Sequence, residues 1–172
     1  PIGQEVGVTA LQLASAISVI ANGGVLMRPY IVKAIQGADG GLIKEFEPQV
    51  IRKVISPETA ERVRDILVMA TEAGTGKSAR VEDFKTAGKT GTAQKIEPNG
   101  AYSHSKYIAS FIGFAPADDP LIAVVVTVDE PRPAYFGGVV AAPVFKRIAQ
   151  DAIKYLKLRK ASNAIGEIAK KD

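Results

Sequence analysis

The 172-residue chain contains no cysteine and no tryptophan, and it has a single histidine, His104. Without thiols neither disulfide bonds nor thiolate metal sites can form, and one imidazole alone does not build a zinc centre. We therefore expect no metal site. We also expect no cofactor.

Long apolar runs are also missing. The longest clean run covers residues 121–128 with Thr127 inside it, which is the length of a strand and far short of the roughly 20 residues of a membrane-spanning helix. No signal peptide is visible, and the chain opens at Pro1 without a methionine. We expect a piece of a longer protein whose targeting segment lies elsewhere.

The chain has only a small excess of positive over negative charge. The chain carries 22 Lys and Arg against 18 Asp and Glu, for a formal net charge of +4, and several of the cations cluster near the end. This pattern indicates a solvated helix end rather than a nucleic-acid surface, so we expect no nucleic-acid partner. Length and composition predict one globular domain over residues 1–158 and a flexible tail over residues 159–172.

Three helices are predicted from caps and periodicity. Thr9 and Gln12 form a capping-box pattern before a first apolar face, and Ser56-Pro57 begins a second helix. A third helix is expected from Val139 onward, lying on the sheet. The apolar stripes of the three helices are, in order, Leu13, Ile17 and Ile20; Val63, Ile66 and Leu67; Phe145, Ile148 and Ile153.

Three strands are predicted over residues 84–96, 107–114 and 121–129, with a peripheral ribbon between residues 25 and 55. The short 115–120 connection requires an antiparallel hairpin, which makes the middle strand central and leaves 84–96 at an edge. The fold class is therefore α+β, an antiparallel sheet flanked by helices. Because three strands make a thin sheet, we expect further strands from upstream sequence.

The most informative stretch is Gly88-Lys89-Thr90-Gly91-Thr92, which places one lysine and two threonines between glycines. Glycine inside a strand often marks the close approach of a ligand or of another backbone. Lys89 supplies a cation, Thr90 and Thr92 supply hydroxyls, and the exposed main chain supplies N–H donors. Together they suit an anionic or acyl substrate.

Phosphate binding is the competing interpretation, since Gly76-Lys77-Ser78 and Gly88-Lys89-Thr90 both imitate a phosphate-binding loop. That loop needs another glycine five residues before the Gly-Lys pair in order to wrap the phosphates. Thr71 and Asp83 occupy those positions, so the sequence argues against nucleotide binding.

An ordered series of motifs resembles the transpeptidase domain of class B penicillin-binding proteins, the group that includes the septal cell-division enzyme and its elongation and sporulation relatives. The resemblance covers the chain to about residue 158 and implies the C-terminal portion of a serine β-lactamase-like fold. The motifs are residues 7–14 (GVTALQLA), 21–24 (ANGG), 74–76 (GTG), 88–94 (GKTGTAQ), 111–116 (FIGFAP), 135–138 (YFGG) and 141–145 (AAPVF).

The resemblance implies an acyl-serine D,D-transpeptidase that cross-links peptidoglycan stem peptides ending in D-Ala-D-Ala and binds β-lactams. It assigns to Lys89 positive potential and support of proton transfer. The hydroxyls of Thr90 and Thr92 would bind the terminal carboxylate of the peptide or drug, and the Thr92 N–H would serve in the oxyanion hole. Gly91 would leave room for the ligand. Alternation places Lys89 on the face opposite the threonines, so these roles require an edge strand around which the lysine reaches.

The chain lacks the family's nucleophile. Its one literal Ser-x-x-Lys, Ser103 to Lys106, follows the Lys-Thr-Gly stretch instead of preceding it, and we expect it to be a solvated loop. No Ser-x-Asn is present, so both motifs are expected on an upstream part of the protein. The resemblance also implies an extracytoplasmic, periplasmic position on the inner membrane through an N-terminal anchor, and division or elongation proteins as partners. A non-catalytic penicillin-sensing or scaffold module remains the alternative.

Overall fold

The structure is a computed structural model that describes residues 6–168, with side chains to residue 158. Residues 1–5 and 169–172 lie outside it, so the predicted tail over 159–172 stays a prediction, and only the helical backbone as far as Ile168 is described there. The elements are α1 (Ala10–Ala21), β1 (Val25–Met27), β2 (Ala34–Gln36), β3 (Leu42–Glu45), β4 (Val50–Lys53), α2 (Pro57–Glu72), a 3₁₀ turn (Lys77–Ala79), β5 (Ala87–Ile96), β6 (Tyr102–Ala115), β7 (Ile122–Asp129), α3 (Gly137–Val140) and α4 (Ala142–Ile168).

The first two helices begin at the predicted caps. The Thr9 hydroxyl accepts from the Gln12 N–H while the Gln12 side chain accepts from the Thr9 N–H, so the capping box is confirmed. Ser56 caps α2 and Pro57 is its first residue, where a missing N–H costs nothing. Ile66 was wrongly placed on the apolar stripe of α2 and is exposed.

Residues 25–53 form a peripheral region of two small antiparallel ribbons. β1 pairs with β4, and β2 pairs with β3. The strands β2, β3 and β4 are exposed along their whole length, so this region adds little to the core, as predicted.

The central sheet has the predicted antiparallel order β5-β6-β7. Lys89 pairs with Ile112 and Thr90 with Phe111, and β6 continues the ladder into β7. Among the described residues no strand pairs with the other side of β5. The predicted edge position of the Lys-Thr-Gly stretch is therefore confirmed. Four boundaries differ from the prediction. β5 begins at Ala87 rather than at residue 84, and β7 begins at Ile122 rather than at residue 121. β6 runs from Tyr102 to Ala115 rather than from residue 107 to residue 114.

One face of the sheet carries the main core, where Phe111 of β6 packs on Phe145 of α4 at a ring-centroid distance of 4.7 Å. Ile153 is buried beside them, but Ile148 is 41% exposed, so its predicted burial is wrong. The buried row on α4 advances four residues at a time through 145, 149 and 153, and residue 148 lies to one side of it.

The predicted helix from Val139 is two helices. Pro143 has no N–H to bond the carbonyl of Val139, so the short α3 ends at Val140 and α4 starts anew at Ala142. The opposite face of the sheet packs on α1 and α2 through Ile17, Ala87 and Phe114. Thr71 of α2 also donates to the carbonyl of Thr86, which ties α2 to the start of β5.

Candidate active site

Lys89 is exposed, and its side chain curls around the edge of β5. Its Nζ donates to the carbonyl oxygen of Thr90 at 2.9 Å and approaches the Thr90 Oγ1 at 3.3 Å. Side chains of consecutive strand residues leave opposite faces, so a residue can reach its neighbour's hydroxyl only around a free edge. The structure therefore brings the ammonium group to the same place as the threonine hydroxyl.

A second hydroxyl joins this group from the segment after α2. The Oγ1 atoms of Thr75 and Thr90 share a hydrogen bond of 2.8 Å. The two lone pairs of the Thr90 oxygen can accept from Lys89 and Thr75, which leaves the Thr90 proton for a ligand. Thr75 was not among the predicted site residues. The signal was present in Gly74-Thr75-Gly76, where glycines bring a hydroxyl close to neighbouring backbone.

Thr92 is held from the other direction by α3. The Gly137 N–H donates to the Thr92 Oγ1 at 3.1 Å. Because this bond occupies the Thr92 oxygen as an acceptor, the hydroxyl proton is directed elsewhere. A backbone N–H leaves no side-chain signal in a sequence, which is why Gly137 was missed.

The glycines of the stretch accommodate parts of the protein itself. A Cβ on Gly91 would overlap the Ser110 hydroxyl, and one on Gly88 would overlap the Phe111 ring. A Cβ on Gly137 would overlap the carbonyl oxygens of Gly91 and Ser110, so α3 lies directly against the strand backbone. We expected these glycines to mark the close approach either of a ligand or of another backbone. At Gly91 the structure contains the approach of another backbone, that of Gly137.

Three aromatic rings contact one another in series near Thr92 and Gly137. Tyr107 of β6 pairs with Gln94, two residues beyond Thr92, and its ring stacks on the ring of Tyr135 at a centroid distance of 4.2 Å. The Tyr135 ring in turn contacts the ring of Phe136, the residue before Gly137, at a centroid distance of 4.5 Å. Phe136 is largely exposed. The hydroxyl of Thr92 and this ring series therefore share one end of the sheet.

The literal Ser-x-x-Lys segment lies in β6 as an irregularity of the strand, so the predicted solvated loop is wrong. Ser103 is only 3% exposed, and its Oγ accepts from the N–H groups of Ser105 and Lys106. The Ser103 hydroxyl and then Lys106 lower the pKa of Glu97, whose carboxylate pairs with the Lys106 Nζ at 3.1 Å. The serine is engaged in local structure, and the lysine points to Glu97.

In the part of the chain that the structure describes, no group of three or more His, Cys, Asp or Glu side chains lies in an arrangement that could hold a metal ion. None of the described helices combines the length and apolar character needed to cross a bilayer.

Comparison with known proteins matches residues 1–150 to the penicillin binding protein transpeptidase domain. Stage V sporulation protein D of Bacillus subtilis is 43% identical over 95% of this chain, which covers 25% of that relative. The probable peptidoglycan D,D-transpeptidase PenA of Neisseria flavescens is 39% identical over 90% of this chain and 36% of its own length. The chain thus spans only about a quarter to a third of these curated relatives.

Solved structures agree in fold. Penicillin binding protein 3 from Mycobacterium tuberculosis, complexed with aztreonam, superposes with a TM-score of 0.82 at 37% identity. The alignment covers 91% of this chain and 37% of that one, and the same protein has been solved in complex with ampicillin.

Proposed function

Because this chain belongs to the transpeptidase-domain family of the class B penicillin-binding proteins, we propose that it forms one wall of a D,D-transpeptidase active site. The complete protein would cross-link peptidoglycan stem peptides through an acyl-serine intermediate and would bind β-lactams. The observation that carries this proposal is the edge position of β5, with the Lys89 ammonium folded around it to within 3.3 Å of the Thr90 hydroxyl oxygen.

The first role of this wall is to hold a carboxylate. The Thr90 and Thr92 oxygens already accept hydrogen bonds from Lys89 and Gly137 respectively. The Thr92 proton is then available to an incoming anion, and so is the Thr90 proton when Thr75 is the donor in the bond between the two hydroxyls. Charge-assisted hydrogen bonds of this kind are the stronger ones, and Lys89 adds positive potential. The D-Ala carboxylate of a stem peptide and the carboxylate of a penicillin are the matching groups.

The second role is to stabilise the developing oxyanion. We propose that the Thr92 N–H donates to the oxygen of the attacked carbonyl, while Lys89 supports proton transfer to and from the nucleophilic serine. An extended peptide would lie along the free side of β5 as an added strand does. Gly91 has no side chain, and the Ser110 hydroxyl occupies the space that its Cβ would fill.

The nucleophile and the Ser-x-Asn motif would come from an upstream part of the same protein. The burial of Ser103 and the hydrogen bonds that its oxygen accepts from two N–H groups argue against Ser103 as that nucleophile. We also propose that the complete protein acts on the extracytoplasmic, periplasmic side of the inner membrane, held by an N-terminal anchor, and that it works with division or elongation proteins.

The test uses the complete protein and a labelled penicillin. Lys89→Ala should slow acylation on the order of a hundredfold, as the loss of one preorganised group does, with little change in melting temperature. Lys85→Ala is the matched control, since Lys85 is exposed just before the same strand. An acylation rate for Lys89→Ala equal to that of Lys85→Ala would place Lys89 outside the site.

A second expectation concerns the 172-residue chain by itself, which should form no covalent penicillin adduct because it lacks the nucleophile. Intact mass spectrometry after incubation with penicillin measures this directly. A stoichiometric adduct that disappears in Ser103→Ala would contradict the proposal. A complete gene product without upstream Ser-x-x-Lys and Ser-x-Asn would instead support a non-catalytic sensor or scaffold.

A further inference from the structure

Lys95 stands where the pairing of β5 and β6 is interrupted. Gln94 pairs with Tyr107, but Ile96 pairs with Tyr102, so residues 103–106 of β6 lie opposite Lys95 alone. Such irregularities disrupt the ladder locally and re-aim side chains, and they are over-represented next to active sites. Here the re-aimed side chain is a lysine three residues beyond Thr92.

The Lys95 side chain crosses the width of the sheet. Its Nζ lies 3.0 and 3.2 Å from the two carboxylate oxygens of Asp129, at the end of β7, and 2.8 Å from Glu130 Oε1. The hydrogen bonds that Lys95 donates to Glu130 and then to Asp129 raise the pKa of Lys95. One cation therefore joins the edge strand of the candidate site to the far strand.

The anchored residue Glu130 begins the loop that leads to α3. It adopts a left-handed backbone with φ of 47°, which is uncommon for a residue other than glycine and carries a conformational cost. Two contacts hold it there, the ion pair with Lys95 and the Glu130 N–H donating to the Tyr107 carbonyl at 2.9 Å. This backbone turn sets the direction in which the chain leaves β7.

The far end of the same loop touches the site. Tyr135 stacks on Tyr107, and two residues later the Gly137 N–H holds the Thr92 hydroxyl. The loop of residues 130–136 is thus fixed at one end by Lys95 and delivers at its other end the donor that orients Thr92. At both ends the contact is made to a residue of β5, the strand that carries Lys89.

We infer that Lys95 is a positioning residue. By binding Asp129 and Glu130 it fixes the start of the 130–136 loop, and the loop then holds Gly137 and the aromatic pair Tyr135 and Phe136 against the substrate wall. This inference rests on the proposed function. Lys95 touches no substrate itself and acts on Thr92 through the loop. Because the ion pairs are partly exposed, removing them should slow penicillin acylation of the complete protein only by roughly two- to fivefold.

The experiment compares Lys95→Met, Lys95→Arg and Lys106→Met in the complete protein. Lys95→Met keeps the aliphatic stem but loses the charge, and should slow acylation by a labelled penicillin. Lys95→Arg can still pair with both carboxylates and should restore most of the rate. Lys106→Met is the matched control, because it breaks the neighbouring Lys106–Glu97 pair without touching the loop.

Ionic strength tests whether the charge of Lys95 carries the effect. Salt screens partly exposed pairs, so the rate difference between the wild type and Lys95→Met should narrow as salt is raised. Wild-type rates in Lys95→Met, failure of Lys95→Arg to restore the rate, equal slowing by Lys106→Met, or a salt-independent difference would each overturn the inference.

Lys89→Ala, measured in parallel, separates this inference from the proposed function. If Lys89→Ala is slow while Lys95→Met is normal, only the role of Lys95 fails. If Lys89→Ala acylates like the wild type, the proposed function fails and the role of Lys95 fails with it.

Discussion

Gly137→Ala is the change that most sharply perturbs the candidate site without removing any of its side chains. A Cβ at residue 137 would overlap the carbonyl oxygens of Ser110 and Gly91. Both are backbone atoms of paired strands and cannot rotate away. The start of α3 must therefore move outward, and the Gly137 N–H moves with it.

The size of the effect follows from the geometry. An ordinary contact distance is regained only after a shift of about 1 Å, which breaks the 3.1 Å bond to the Thr92 hydroxyl. Misplacement by about 1 Å typically lowers a catalysed rate on the order of a hundredfold. Overpacking of this kind lowers the free energy of unfolding by roughly 1–3 kcal/mol.

The assay is the acylation rate of the complete protein with a labelled penicillin, together with thermal unfolding. Val139→Ala is the control, because it changes an exposed side chain of the same short helix. An unaltered acylation rate in a folded Gly137→Ala protein would refute the argument that Gly137 orients Thr92.

Two further predictions concern the core and the strand irregularity. Phe111→Ala in the complete protein should lower the free energy of unfolding by about 3–5 kcal/mol in urea titrations, whereas exposed Ile66→Ala should change it by less than about 0.5 kcal/mol; equal effects would contradict the assigned core. Ser103→Ala should raise the pKa of Glu97 toward its ordinary 4.5, measured by NMR titration. A lowered carboxyl pKa stabilises the folded state at pH values above the ordinary pKa, and this stabilisation is lost as the pH falls through the lowered pKa. The part of the variant's stability loss that arises from Glu97 should therefore shrink below pH 4.5. A Glu97 pKa that does not move in Ser103→Ala would contradict this prediction.

Sheet order could be predicted because short connections allow few topologies. The six-residue connection between Phe114 and Leu121 forced an antiparallel hairpin, and β5 was left at the edge. The caps at Thr9 and Ser56 were equally local signals. The family resemblance, to the C-terminal part of a class B transpeptidase domain, is confirmed, because it rested on several motifs in order rather than on one triplet.

The predictions that were wrong and the site residues that were missed share a cause. In each case the contacts that decide the structure come from residues distant in sequence or from backbone atoms. Periodicity placed Ile148 inward, but packing on the sheet selected the 145, 149 and 153 row. The polar residues 103–106 suggested a loop, whereas pairing of Tyr102 with Ile96 carries β6 past them. Thr75 and Gly137 reach β5 only through the tertiary fold, so the composition of the stretch around Lys89 could not reveal them.

We propose that Lys89, Thr90 and Thr92 form the carboxylate-binding wall of an acyl-serine site. A crystal structure of the complete protein acylated by a penicillin would reveal where the drug carboxylate binds. We expect this carboxylate within hydrogen-bonding distance of the Thr90 and Thr92 hydroxyls, with the Lys89 ammonium beside it. A covalent adduct whose carboxylate lies away from β5 and contacts neither threonine would rule out this assignment.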